Sequence, residues 1–188
     1  TALVILDGQN EFLTQGGALN APIEAQNEGA PIVDTLNDWI AAAHARGMLV
    51  IDTKIVFDPG YPEAGASPYG IFAAVKDSGG FQRGSWGAET AEGLKLQDED
   101  LVLEKPGMSA FLNPQFEQEL KARGIENLIL TGMLTDACVE CTMRSAYDRG
   151  YQVYAATDAM RTLDPGKHHA TIEQSFPLFS RPLALSEL

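Results

Sequence analysis

Cysteine is scarce: the 188 residues hold two, Cys138 and Cys141. Two are too few for a disulfide framework, so the cytoplasm is the expected compartment. Positive charge is scarce as well. Thirteen Lys and Arg stand against 26 Asp and Glu, a formal net charge of −13 at pH 7. A surface that tracks phosphates needs clustered Lys and Arg. Here they are scattered, which argues against nucleic acid and anionic membrane as partners. Long apolar runs are missing. Stretches such as Met48 to Ile51 fall far short of the roughly 18 consecutive residues that a membrane span requires. The opening segment lacks an initiator Met and the charged-then-apolar layout of a signal peptide, and it reads as a strand; residues before Thr1 are expected to have been removed. What is present is 45% hydrophobic and 21% charged, with a mean hydropathy of −0.10. That composition suits a chain that folds on its own, as one domain over residues 1–188, without repeat, linker or low-complexity tract.

Leu3 to Leu6 is a short apolar run ending at Asp7-Gly8, the pattern of a strand buried on both faces of a parallel sheet. A polar loop is expected after it. From Ala30 to Arg46 the residues Ile32, Val33, Leu36, Trp39, Ile40 and Ala43 recur at helical spacing, and Gly47 stands in the C-terminal cap position. Met48 to Lys54 reads as the second strand and Leu101 to Leu103 as the third. Between them lies a long Gly- and Pro-containing excursion, Asp58 to Gly87, of a length that suits the covering of a site. A helix over Phe116 to Arg123 closes at Gly124, and a strand follows at Leu128 to Leu130. A helix over Ala137 to Arg149 closes at Gly150, a strand follows at Val153 to Ala156, and a last helix runs through His168 to Ser175. This alternation predicts an α/β fold, a parallel sheet with helices on both faces. Ligands bind beyond the carboxyl ends of the strands in such sheets. That rule selects Asp7, Lys105 and the loop from Thr131 to Cys138, which would converge on one edge.

Cys138 falls in the first turn of its helix. There the helix dipole and the unpaired backbone N–H groups stabilise a thiolate, and the same N–H groups can receive an oxyanion. A nearby lysine would lower the thiol pKa further. A thiolate so placed attacks an electron-poor carbon, with Asp7 in position to shuttle the proton. The same three residues also read as a small buried hydrophobe, a turn cap and a solvated cation, and spacing alone does not separate the two readings.

Three stretches do separate them. Asp7 in Leu-Asp-Gly-Gln-Asn-Glu-Phe, Lys105 in Glu-Lys-Pro-Gly-Met-Ser-Ala-Phe, and Cys138 in Thr-Gly-Met-Leu-Thr-Asp-Ala-Cys-Val-Glu-Cys-Thr closely resemble the three signatures of the isochorismatase-like cysteine hydrolases, in the same order. The likeness covers almost the whole chain, Arg83-Gly84-Ser85-Trp86-Gly87 included. It implies a three-layer α/β/α fold around a six-stranded, mainly parallel sheet of Rossmann-like type. It also implies an Asp7-Lys105-Cys138 triad, a cis peptide between Met133 and Leu134, and an oxyanion hole from the backbone N–H groups of Leu134 and Cys138. The implied reaction is hydrolysis of a small non-peptide C–N bond, amide or ureido, through a thioester-type acyl-enzyme. The alternatives are vinyl-ether hydrolysis of the isochorismatase type, or a non-catalytic binding domain on the same fold. Family nicotinamidases add a metal site with an Asp-x-His after the second strand, whereas this chain has Asp52-Thr53-Lys54 there and no histidine between His44 and His168. No metal and no other cofactor is therefore expected. The family commonly forms homodimers and homotetramers, so the same is expected here, with a small molecule as substrate.

The remaining candidates are less determined. Cys138-Val139-Glu140-Cys141 has the spacing of a redox or zinc pair, but zinc needs about four ligands and no second pair exists. Cys141 reads as a small core residue, and His168 and His169 as cap or surface residues. Phe12, Trp86 and Phe111 read as core aromatics or as pocket walls; nearness in sequence to Asp7 and Lys105 favours walls for Phe12 and Phe111. The substrate is expected to be small and either neutral or bearing one carboxylate held by Lys54 or Arg83, with the Asp58 to Gly87 segment closing over it and excluding peptides.

Overall fold

The computed structural model describes residues 1–26 and 30–188. Six strands form its sheet: β1 (Ala2–Leu6), β2 (Leu49–Ile55), β3 (Leu101–Lys105), β4 (Asn127–Met133), β5 (Gln152–Arg161) and β6 (Arg181–Pro182). Their order is β3-β2-β1-β4-β5-β6, and every neighbouring pair is parallel. All five residues of β1 are buried, and so are the last six of β4, as strands covered on both faces must be. Among the described residues seven α-helices accompany the sheet: α1 (Asn10–Leu13), α2 (Asn20–Glu24), α3 (Ile32–Ala45), α4 (Gly70–Ser78), α5 (Pro114–Ala122), α6 (Glu140–Asp148) and α7 (Pro165–Ala170).

The helix α3 follows its apolar stripe. Ile32, Leu36, Trp39, Ile40 and Ala43 are buried, and the helix packs on β1, β2 and β5. It ends two residues before Gly47, which takes the left-handed conformation (φ 63°) that a side chain disfavours. Gly132 has a stricter reason. Its φ is 100°, and a Cβ there would lie 2.1 Å from the Leu6 carbonyl oxygen, so β4 reaches β1 only with glycine at that position.

Several expectations are corrected. The segment after β1 is helical, in α1 and α2, because runs of four and five residues are too short to display a period. The long excursion contains α4. The strand β3 includes Lys105, and β5 continues past Ala156 to Arg161 after a register shift opposite Leu130 and Gly132. The helix expected from Ala137 opens as a π-helical turn, Thr135–Val139, and becomes α6 only at Glu140. The last predicted helix divides into α7 and a π-helical turn, Thr171–Ser175. Among the described residues no helix is long and apolar enough to cross a membrane.

Candidate active site

The strand order reverses between β1 and β4, and the crevice at such a reversal is where open α/β sheets bind ligands. Asp7 leaves the end of β1 with φ 56°, a left-handed turn that Asp tolerates better than most residues. Its N–H donates to Thr53 O (2.7 Å), and the next N–H, of Gly8, donates to Asp52 Oδ1 (3.2 Å). One residue further, the Gln9 side chain donates to the carbonyls of Ile55 and Ala88 and accepts from Ile55 N–H. The turn that carries Asp7 is thus tied to β2 by backbone and side chain alike.

Lys105 closes β3, and its ammonium reaches the same point. Nζ lies 2.9 and 3.1 Å from the two Asp7 carboxylate oxygens, 3.0 Å from Gly107 O and 3.4 Å from Cys138 Sγ. Cys138 sits in the π-helical turn after β4, where Leu134 O accepts from both Ala137 N–H and Val139 N–H. Its Sγ is 3.5 Å from Met108 Sδ. Relative exposures are 0% for Asp7, 1% for Lys105 and 5% for Cys138, so the three polar groups have one another in place of water.

Burial sets the protonation states. It pushes the Asp7 carboxyl above the ordinary carboxylate value, with the Lys105 charge pulling it back. Burial also works against the Lys105 charge, but the negative charge of Asp7 and the Cys138 sulfur outweigh it and hold the ammonium above its usual value. The Cys138 thiol is pushed well up by burial and then by Asp7. The expectation that the helix start and the lysine depress its pKa is therefore corrected: loss of hydration is the larger effect. The resting arrangement is a protonated Cys138 thiol beside the Lys105 ammonium and the Asp7 carboxyl group, whose raised pKa makes its ionised form a good acceptor for the thiol proton. Beneath it, Asp52 accepts from Gly8 N–H and from Thr90 Oγ1, and burial raises it to about 6.

Asp7 and Cys138 form part of the wall of a cavity of about 230 Å³. Phe12, Leu19, Ile55, Phe81, Met108, Leu134 and Ala137 supply apolar wall, and Ile71, Ala74, Val75 and Ser78 of α4 cover it from the other side. From the Asp58 to Gly87 excursion, residues between Ile71 and Phe81 thus share this cavity with Asp7 and Cys138. The Met133–Leu134 peptide bond is cis. Glu11 also lines the cavity; its Oε2 accepts from Ala18 N–H (2.7 Å), and a Cβ on Gly87 would collide with its Oε1.

Of the residues chosen to contact substrate, Phe12 reaches the cavity and four others do not. Lys54 is buried elsewhere and donates to Glu89 (3.3 Å). Arg83 is half-exposed and paired with Asp58 and Glu104. Trp86 is 49% exposed, in a 3₁₀ turn whose Trp86 carbonyl accepts from the Asn10 amide. Phe111 packs edge-on against Phe116 (centroids 4.9 Å apart), with the Arg149 guanidinium over its ring. Nearness in sequence to a triad residue misled at Phe111, because the chain turns away through the 3₁₀ helix Ala110–Leu112. The cavity residues of α4, together with Leu19 and Met108, were missed; a hydrophobic residue lining a cavity and one filling a core look alike in sequence. His168 packs inward. Its Nδ1 is 2.8 Å from Thr135 Oγ1, and burial, then the Arg161 and His169 charges, lowers it to about 4, so this imidazole is neutral at pH 7. Among the described residues no three His, Cys, Asp or Glu side chains are grouped to hold a metal ion.

Comparison with known proteins finds similarity over almost the whole chain. The family model described as Isochorismatase domain matches residues 1–187. The ureidoacrylate amidohydrolase RutB of Acinetobacter baylyi is 32% identical over 180 residues, covering 90% of this chain and 74% of that protein. RutB of Klebsiella pneumoniae is 34% identical over 176 residues, covering 88% and 75%. The crystal structure of an isochorismatase family protein from Desulfovibrio vulgaris superposes with a TM-score of 0.83 at 26% identity, covering 98% of this chain and 94% of the other.

Proposed function

Because the chain belongs to the isochorismatase family, we propose that it is a cysteine hydrolase that opens a small non-peptide C–N bond, amide or ureido, through a thioester acyl-enzyme. The observation that carries this reading is the Lys105 ammonium held against both the Asp7 carboxylate and the Cys138 sulfur, with Asp7 and Cys138 in the wall of one cavity. The amidohydrolase activity of the RutB relatives supports the choice of bond.

Each chemical step falls to a named group. As the Cys138 sulfur attacks the carbonyl carbon, Asp7 takes the thiol proton, and its raised pKa makes it a stronger acceptor than an ordinary carboxylate. The new C–S bond turns the carbonyl oxygen into an oxyanion, for which the backbone N–H groups of Leu134 and Cys138 are the assigned donors. Collapse breaks the C–N bond, and the departing nitrogen leaves with the proton from Asp7. Water, deprotonated by Asp7, then attacks the thioester and releases the acid, returning the proton to sulfur. Lys105 keeps its charge throughout and offsets that of Asp7 and of the nascent thiolate. No metal has a role in these steps. The reading places a soluble homodimer or homotetramer in the cytoplasm, and the exposed Tyr147 and Leu178 offer apolar surface for assembly.

The test is a hydrolysis screen of small amides, ureido acids and isochorismate, with ammonia and acid followed separately, before and after exhaustive chelation. The expected result is ammonia release that survives chelation, together with an acyl adduct on Cys138 seen by mass spectrometry on rapid quenching. Isochorismate cleavage without any C–N hydrolysis would assign the alternative chemistry, and loss of turnover on chelation would refute the metal-free mechanism.

A further inference from the structure

A carboxylate on the substrate would have nothing to pair with. Among the described residues that line the cavity there is no Lys, Arg or His, and the acidic ones are Asp7 and Glu11. Lys105 is the nearest ammonium, and an ammonium has three hydrogens to donate. Its contacts are Asp7, Gly107 O and Cys138 Sγ, so it has none left over for a ligand. Lys54 is held by Glu89 and Arg83 by Asp58 and Glu104, and His168 is neutral and bonded to Thr135. Lys76 is exposed and does not line the cavity, although its neighbour Val75 does. Moving an ionised carboxylate from water into such walls without a partner costs several kcal/mol in real proteins. The Glu11 carboxylate adds to that cost by repulsion. The volume is small too, about 230 Å³, room for roughly eight waters at about 30 Å³ each.

Resting on the hydrolase reading above, we infer that the substrate is a small neutral amide or ureide with an apolar acyl or alkyl group, held against the inner face of α4, and that this cavity rejects the carboxylate-bearing ureido acids. The chain would thus differ from the ureidoacrylate amidohydrolases it resembles in what the far end of the substrate carries. The apolar contact residues are Ile71, Ala74 and Val75 from α4, with Leu19, Phe81 and Leu163. Ile71 is 44% exposed at the mouth of the cavity, so it is the position where a cation can be added without disturbing the core.

Two isosteric pairs test this, each differing only in an isopropyl group against a carboxylate: 5-methylhexanamide with glutaramate, and isopentylurea with N-carbamoyl-β-alanine. Whichever pair the native enzyme hydrolyses, kcat/KM for the neutral member is expected to exceed that for the acid by at least about 100-fold, the size set by an unpaired buried charge. Ile71→Arg is expected to lower that ratio at least about tenfold by giving the carboxylate a partner. Preference for the acid, or a ratio that Ile71→Arg leaves unchanged, overturns the inference while leaving the hydrolase reading intact. If neither pair is hydrolysed, the hydrolase reading fails for these bonds. Calorimetric binding to Cys138→Ser then decides the inference alone: it is upheld if the neutral member binds at least about tenfold tighter and overturned if the two bind equally or the acid binds better.

Discussion

Lys105→Met removes the ammonium from the triad while keeping a side chain of similar length. In the native protein that ammonium lies about 3 Å from both oxygens of a carboxylate with no exposure to water. At an effective dielectric constant of about 20, two unit charges at about 3 Å attract by about 5 kcal/mol, in line with the roughly 3–5 kcal/mol lost when one partner of a buried pair is removed. The variant can escape part of this loss by protonating Asp7. With its cation gone and its burial unchanged, Asp7 in the folded variant has a pKa well above the 3.8 it has in an unfolded chain. The folded variant therefore holds a proton that the unfolded chain has released, and its stability falls by up to about 1.4 kcal/mol for each unit of rising pH across that window. Urea denaturation followed by circular dichroism is expected to show a deficit of roughly 3–5 kcal/mol at pH 8, most of which disappears at pH 5. Adding Asp7→Asn, which tolerates the left-handed backbone of that position, is expected to recover at least half of the pH 8 deficit without restoring activity. Equal deficits at both pH values, or additive losses in the double variant, would refute the claim that the two charges face each other in a buried site.

Three further predictions concern other parts of the site. Cys138→Ser is expected to lower kcat by at least about 10³-fold, while Cys141→Ser, one helical turn away and outside the cavity, retains activity; the reverse pattern in a hydrolysis assay would displace the nucleophile. Asp52 has a folded pKa of about 6 against 3.8, so it penalises the ionised native state above pH 6, and the penalty fades as pH falls through 6 towards 4. Asp52→Asn is therefore expected to flatten the pH dependence of stability between pH 4 and 6 and to gain up to about 3 kcal/mol at pH 7, measured by denaturation at a series of pH values. An unaltered slope would show that Asp52 does not titrate there. Gly132→Ala forces a Cβ to within 2.1 Å of Leu6 O at φ 100°, and a loss of roughly 3 kcal/mol or more is expected in thermal unfolding.

The sequence by itself determined the alternation of strands and helices and three residues of chemical interest, but not where β3, β4 and β5 end. Those signals are local. The run Leu3 to Leu6 is unbroken because a strand covered on both faces meets apolar neighbours at every position, and the α3 stripe repeats because a helix buries one face. The three spaced motifs around Asp7, Lys105 and Cys138 were legible for the same reason, since each is a contiguous stretch. Only the tertiary structure decided what the motifs do together. That the Cys138 thiol is protonated at rest follows from burial among residues far off in the chain, Lys105 and Asp7 included, an effect that outweighs the local helix start. The walls of the cavity were equally out of reach. Lys54 and Arg83 looked like anchors until the fold supplied Glu89, Asp58 and Glu104 as their partners, and Ile71 to Ser78 looked like loop until α4 came to rest over Cys138. A charge on its own does not say whom it will meet, and an apolar side chain does not say whether it will face a core or a ligand. Both are settled by packing between residues far apart in the chain, which leaves no mark on the stretch where either residue lies.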